Sequence, residues 1–167
     1  MAIKKILLLG APGLWKHCGA VRSIKAPGVR KTISDLRATL ADFRKKNGFG
    51  RGIAAPQIGV LKRIIYIHFP KAGISGALIN PRIEKRSKAK FKLWDDCFSF
   101  PGLLVRVERA REVTVSCTNE KGEDCVIAAQ DDLSELLQHE IDHLDGILAV
   151  QRAIDNRSFA WRKEETP

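Results

Sequence analysis

The segment His139-Glu140-Ile141-Asp142-His143 constrains this chain more than any other. It fits the H-E-x-x-H pattern, in which two histidines hold a metal and the glutamate between them does proton chemistry. At about 100° per residue, positions i and i+4 of an α-helix leave the axis in nearly the same direction, so both imidazoles face one way. A divalent metal between them then needs one or two more ligands from elsewhere. The flanking residues read as a helix. Asp131 and Asp132 are N-cap candidates and place negative charge in a first turn. Leu133, Leu136, Leu137 and Leu144 recur at helical spacing, and Gly146 is a stop signal. Glu140 falls on the same stripe as Leu133. Burial there would raise its pKa, which suits a general base or acid near neutral pH. The bland alternative, two ordinary histidines on a half-exposed helix, is weakened by scarcity: the chain has only four His, and two of them fall here.

A catalytic site of this kind takes three protein ligands and leaves a position for water. Cys18, Cys97, Cys117, Cys125, His17 and His68 are available beyond the helix. Cys97 stands out by its setting, Trp94-Asp95-Asp96-Cys97-Phe98-Ser99-Phe100-Pro101-Gly102, where acids, a thiol and a Pro-Gly turn follow one another. Cys117 lies in the alternating run Val113–Cys117 and reads as a half-buried strand residue; Cys125 starts another short strand. Cys18 reads as either reactive or merely exposed. Spacing by itself leaves the third ligand open.

Three segments taken together resemble the peptide deformylase family. Gly50-Arg51-Gly52-Ile53-Ala54-Ala55-Pro56-Gln57 is similar to that family's G-x-G-x-A-A-x-Q motif. Asp95-Asp96-Cys97-Phe98-Ser99 is similar to its E-G-C-L-S motif, and Gln138 to Gly146 to its Q-H-E-x-D-H-L-x-G motif. The opening from Ile6 through Pro12, Leu14 and Val21 is similar to the family's start, so the resemblance covers nearly the whole chain.

The resemblance implies roles. Cys97, His139 and His143 would bind one divalent metal, Fe(II) first, with Zn, Ni or Co able to take the site. Glu140 would take a proton from the attacking water and pass it to the leaving amine. Gln57 and the backbone N–H of Phe98 would hold the developing oxyanion. Gly52 would line the substrate channel with bare backbone. The reaction would be hydrolysis of the N-formyl group from formyl-methionyl peptides, giving formate and a free amine.

Two of the motifs depart from the family pattern. Asp95-Asp96 stands where Glu-Gly is usual, and Arg51 fills a position that is usually small or apolar. Arg51 and Asp96 are expected to face the cleft as substrate-binding residues and either to pair with one another or to contact the substrate. Phe98 replaces Leu, a milder change because its role uses backbone. Other readings are an amidase for a different small N-acyl group, a zincin-type protease, and an inactive deformylase-like module that docks on RNA. The protease leaves Cys97 and the Gln57 segment unexplained, and the intact Cys97, His139, His143, Glu140 and Gln57 speak against the inactive module.

At 167 residues, one catalytic domain over 1–167 is expected. Four Cys without paired spacing argue against a disulfide framework and for a reducing compartment, cytoplasm or organelle matrix. The stretch from Met1 to Leu9 lacks the length and cleavage pattern of a signal peptide, and no segment approaches the ~20 apolar residues of a membrane span. Net charge is +10 and the pI about 9.7. Basic residues cluster at 16–31, 44–51 and 85–92, which favours polyanion contact, ribosomal RNA near nascent chains being one candidate. Oligomeric state is not readable.

Periodicity predicts a first helix over 32–46 closed by Asn47-Gly48, after an extended lead-in at 3–9. Strands are predicted at 62–69, 76–85 (interrupted by Asn80-Pro81), 103–107, 112–118 and 123–128, the last two joined by a turn at 119–122. Gly50-Arg51-Gly52 taken alone reads as a turn. The polar tail after Val150 is expected to fray. The fold class is α+β, with antiparallel or mixed strands wrapped around a central helix that carries the metal motif.

Overall fold

Pro27 opens the first helix, α1 (Pro27–Asn47), five residues ahead of the expected start. Proline is at home in a first turn, where its missing N–H costs nothing. Gly48 closes the helix with φ +76°, its N–H bonded to the Arg44 carbonyl. The computed structural model describes residues 1–162. The chain continues through β1 (Gly52–Ala54), β2 (Ile64–Phe69), β3 (Ile74–Arg86), β4 (Lys90–Asp96), β5 (Leu103–Ala110), β6 (Glu112–Thr118), β7 (Asp124–Gln130), the second helix α2 (Asp131–Leu144) and β8 (Phe159–Trp161).

The strands form a five-stranded sheet, β1-β2-β3-β6-β7, and a three-stranded sheet, β4-β5-β8, with every ladder antiparallel. Side chains alternate across a strand, and both faces of β2 are used. Ile65 and Ile67 pack toward α2 with Leu78, Val115, Leu133 and Leu137. Ile64 and Tyr66 pack toward α1 with Ile33, Leu36 and Leu40. A third cluster, with Leu14, Val105, Val107 and Leu148, backs the small sheet and reaches Cys97. Helix α2 is thus enclosed: every residue from Leu133 to Leu144 is buried. Ser134 and Gln138 tie it to the small sheet by donating to the Ala110 carbonyl at 2.9 Å each.

Several expectations need correction. Gly52 lies in a strand, not a turn, because the segment pairs with Ile67 of β2. Strand β3 runs through Asn80-Pro81; Asn80 takes φ +50° and the register slips there, which absorbs the proline. Strand β5 runs on to Ala110, past the expected Val107. Strand β4 was missed outright. Asp131 and Asp132 do not cap α2: Gln130 is the N-cap residue, without a side-chain bond, and Asp131 sits inside the first turn at φ +49°, paired with Arg111 at 2.6 Å. The tail does not fray throughout, since β8 pairs with β5 through Phe159–Trp161; residues 163–167 lie outside the described part. Cys117 and Cys125 face one another in the β6–β7 register and are joined as a disulfide, against the expectation of free thiols. The lead-in is extended as expected, with Leu7 N–H bonded to the Gln57 carbonyl and Leu9 N–H to the Ser99 carbonyl. Among the described residues, no helix is long and apolar enough to cross a membrane.

Candidate active site

Helix α2 presents His139 and His143 toward the end of β4, where Cys97 follows the strand. One ligand atom from each of the three lies within 4.8 Å of the others, and all three residues are buried. Cys97 Sγ is 3.2 Å from His143 Nε2. The remaining candidates are elsewhere. His17 is exposed, and His68 Nδ1 meets Ser75. Cys18 is buried rather than exposed, and burial pushes its thiol up to about 11. Cys117 and Cys125 are paired. Of the candidates left open by spacing, Cys97 is the one whose donor atom converges with those of His139 and His143.

The second motif orients the first histidine. Asp95 Oδ1 lies 2.8 Å from His139 Nδ1, which leaves the other ring nitrogen for the donor cluster. Arg109 on β5 holds the far oxygen of Asp95 at 3.1 Å and also bonds Asp142, which Arg152 clamps at 2.8 Å. Asp95 and Arg109 are both almost fully buried. Burial alone would raise the Asp95 pKa, but His139 and Arg109 outweigh it and bring it to about 2. Burial opposes charge on His139, yet Asp95 and Cys97 hold it well above the usual imidazole range. Burial and the neighbouring His139 drive His143 well below that range.

Glu140 is buried, and its Oε2 has no hydrogen-bond partner among the described residues. Burial pushes its carboxyl up to about 7, with His139 working the other way. The carboxylate lies against the backbone of Gly52, where no side chain fits: a Cβ there would stand 2.5 Å from Glu140 Oε1.

Gln57 follows β1 in a short 3-10 turn and is buried. Its Oε1 accepts from the Ala54 N–H at 2.9 Å, which fixes the amide so that Nε2 points to Ser99 Oγ at 3.2 Å and Cys97 Sγ at 3.6 Å. Among the described residues the Phe98 N–H has no acceptor. The Phe98 ring stacks on Phe43 of α1, centroids 3.7 Å apart.

Arg51 and Asp96 both line the cleft over this cluster, a space of about 250 Å³ that also touches Phe49, Glu135, Leu136 and Arg162. They are not bonded to each other. Arg51 pairs with Glu135 on α2 at 2.6 Å, and Asp96 pairs with Arg162, whose guanidinium also covers the Phe49 ring at 4.4 Å. Burial and the nearby Asp95 push Glu135 up, with Arg51 opposing. Ser99, Arg109, Glu135 and Arg162 were not singled out from sequence. Ser99 stands within the second motif, and Glu135 lies one turn before His139; a face-by-face reading of α2 finds it. Arg109 is one of three arginines at 106, 109 and 111 with nothing local to single it out, and Arg162 carries no local signal.

Cys97, His139, His143, Glu140 and Gln57 lie in the three segments that resemble one family, and the polypeptide deformylase model matches residues 3–158. The chain belongs to the polypeptide deformylase family. Peptide deformylase 2 of Clostridium perfringens is 41% identical over 153 residues, 92% of this chain and 94% of that one. The peptide deformylase of Natranaerobius thermophilus is 37% identical over 166 residues, 99% of each. Among solved structures, a peptide deformylase from Legionella pneumophila superposes with TM-score 0.84 at 33% identity, covering 94% of this chain and 89% of that one. One from Ehrlichia chaffeensis in complex with actinonin gives TM-score 0.86 at 30% identity, covering 95% and 92%. The α+β fold around a motif-bearing helix is that of the deformylase structures. A thiol and two imidazoles, converging and buried, are a donor set that suits the single divalent metal of deformylases.

Proposed function

We propose that this chain, as a single catalytic domain over 1–167, hydrolyses the N-formyl group from the N-terminal formyl-methionine of newly made polypeptides and releases formate. The observation that carries the reading is the convergence of Cys97, His139 and His143 beside the buried, unpartnered carboxylate of Glu140. We assign the three as ligands of one divalent metal, Fe(II) first, with Zn, Ni and Co suited to the same donors. When bound, a divalent metal lowers the pKa of water toward about 7 and polarises a carbonyl oxygen.

The residues then divide the work. Glu140, with a pKa raised to about 7 by burial, accepts a proton from the attacking water and delivers it to the leaving nitrogen as the C–N bond breaks. The formyl carbon gains the water oxygen and leaves as formate. Gln57 Nε2 and the Phe98 N–H bracket the oxyanion, and fixed donors of this kind contribute a few kcal/mol each, on the order of 3. Gly52 lets the substrate backbone pass close to Glu140. Arg51 and Asp96 stand on the walls of the cleft.

The partners we propose are N-formylated nascent peptides, and ribosomal RNA through a surface with net charge +10. That surface should give salt-sensitive co-sedimentation with ribosomes, and no association at low salt would remove the RNA contact. The compartment we propose, the cytoplasm or an organelle matrix, follows from action on newly made polypeptides and not from cysteine usage, since Cys117 and Cys125 are joined. The function is tested by formate release from formyl-Met-Ala-Ser, using anaerobically purified, iron-loaded protein beside Glu140→Ala. Turnover lost in the variant, with metal retained, supports the reading. Absence of turnover in the parent protein with bound metal overturns it.

A further inference from the structure

The cleft above the metal donors has a charged wall where a pocket for a thioether would be apolar. Arg51 leads into β1, next to Gly52, and its guanidinium meets Glu135 at 2.6 Å. Glu135 is buried, its side chain only 5% exposed, whereas Arg51 keeps 40% of its side chain open to the cleft. Glu135 stands one turn before His139 on α2, about 6 Å along the axis. Leu136 and Gly52 lie beside the pair. A substrate with its reacting carbonyl at Cys97, His139 and His143, and its backbone over Gly52, brings its first side chain to this wall.

Covering an ion pair with a thioether removes water from two charges and returns no donor and only a weak acceptor. A carboxamide on a chain of the same length offers both: its NH2 donates to Glu135 and its carbonyl accepts from Arg51. We propose that the Arg51–Glu135 pair determines specificity for the first side chain, and that this enzyme takes formylated peptides beginning with glutamine at least as well as those beginning with methionine. The inference rests on the deformylase reading above and names its substrate class.

The test is kcat/KM for formyl-Gln-Ala-Ser and formyl-Met-Ala-Ser, in the iron-loaded parent protein and in the double variant Arg51→Leu/Glu135→Leu. In the parent, Gln should equal or exceed Met. In the double variant the Gln-to-Met ratio should fall at least about tenfold, the range by which pocket polarity discriminates. A parent that prefers Met overturns the inference without need of the variant, so it can fail even if the variant does not fold. An unchanged ratio in a folded double variant also overturns it. Turnover on neither peptide removes the deformylase reading itself, a failure distinct from turnover with the wrong preference.

Discussion

The Glu140 carboxylate rests on the bare backbone of Gly52, so closely that a Cβ at Gly52 would stand 2.5 Å from Glu140 Oε1. The proposed base and the strand edge proposed to line the substrate channel are therefore in mutual contact. Gly52→Ala should push the carboxylate off its position while leaving the metal ligands in place. Misplacement of a reacting group by about 1 Å costs on the order of 100-fold. The expected outcome is a loss of that size in kcat with metal content unchanged, measured by formate release and metal analysis; near-parental kcat would show that Glu140 has room to retreat.

Asp95 holds His139 at 2.8 Å, and an amide there would keep the shape but not the charge. Partners of metal-ligating histidines tune affinity, and their loss typically weakens it about 10–100-fold. Asp95→Asn should therefore release iron or zinc to a chelator at a correspondingly lower concentration. Retention equal to the parent would mean that geometry, not charge, is what Asp95 supplies.

Arg109 joins Asp95 and Asp142 inside the protein. Removing its guanidinium leaves two buried carboxylates short of a partner, and breaking such a pair costs about 3–5 kcal/mol. Arg109→Ala is expected to shift the urea midpoint by that amount, and metal binding should weaken with it because Asp95 loses its anchor. A stability change under about 1 kcal/mol would count against this network.

Asp35 on α1 accepts from Ala2 N–H at 2.9 Å and Lys31 Nζ at 2.6 Å. The Lys31 bond comes first among the causes that hold its pKa below the ordinary 3.8. A depressed folded pKa means that the unfolded chain binds more protons as the medium turns acid. The stabilisation is thus full above 3.8 and is lost as pH falls through the lower, folded value. Asp35→Asn should cost about 1 kcal/mol at neutral pH and progressively less in acid. A difference that stays constant with pH would assign the effect to packing instead.

What sequence revealed and what it hid have physical reasons. Helix α2 was legible because its leucines keep helical spacing and its histidines carry recognisable chemistry. Strand β4 was not, because Asp95 occupies a buried position of an otherwise alternating strand, and His139 of α2 and Arg109 of the neighbouring strand make that burial tolerable. The cap of α2 was misplaced because two aspartates near a helix start look alike in sequence, and only the backbone shows that neither stands at the cap. The residues that converge in the cleft, Cys97, His139, His143 and Glu140, were legible as motifs, whereas the partner of Arg51 was not. Arg51 and Glu135 are 84 residues apart, and no local pattern joins them.

The lead-in segment hydrogen-bonds through Leu7 to the Gln57 carbonyl and through Leu9 to the Ser99 carbonyl. It therefore stitches together, from behind, the two loops whose side chains and amides face the cleft. Anything that tugs on the start of this chain, such as a bulky fusion partner placed ahead of Met1, bears directly on the seam between those loops. For whoever builds an affinity-tagged version, the first ten residues are part of the working machinery and need slack before them.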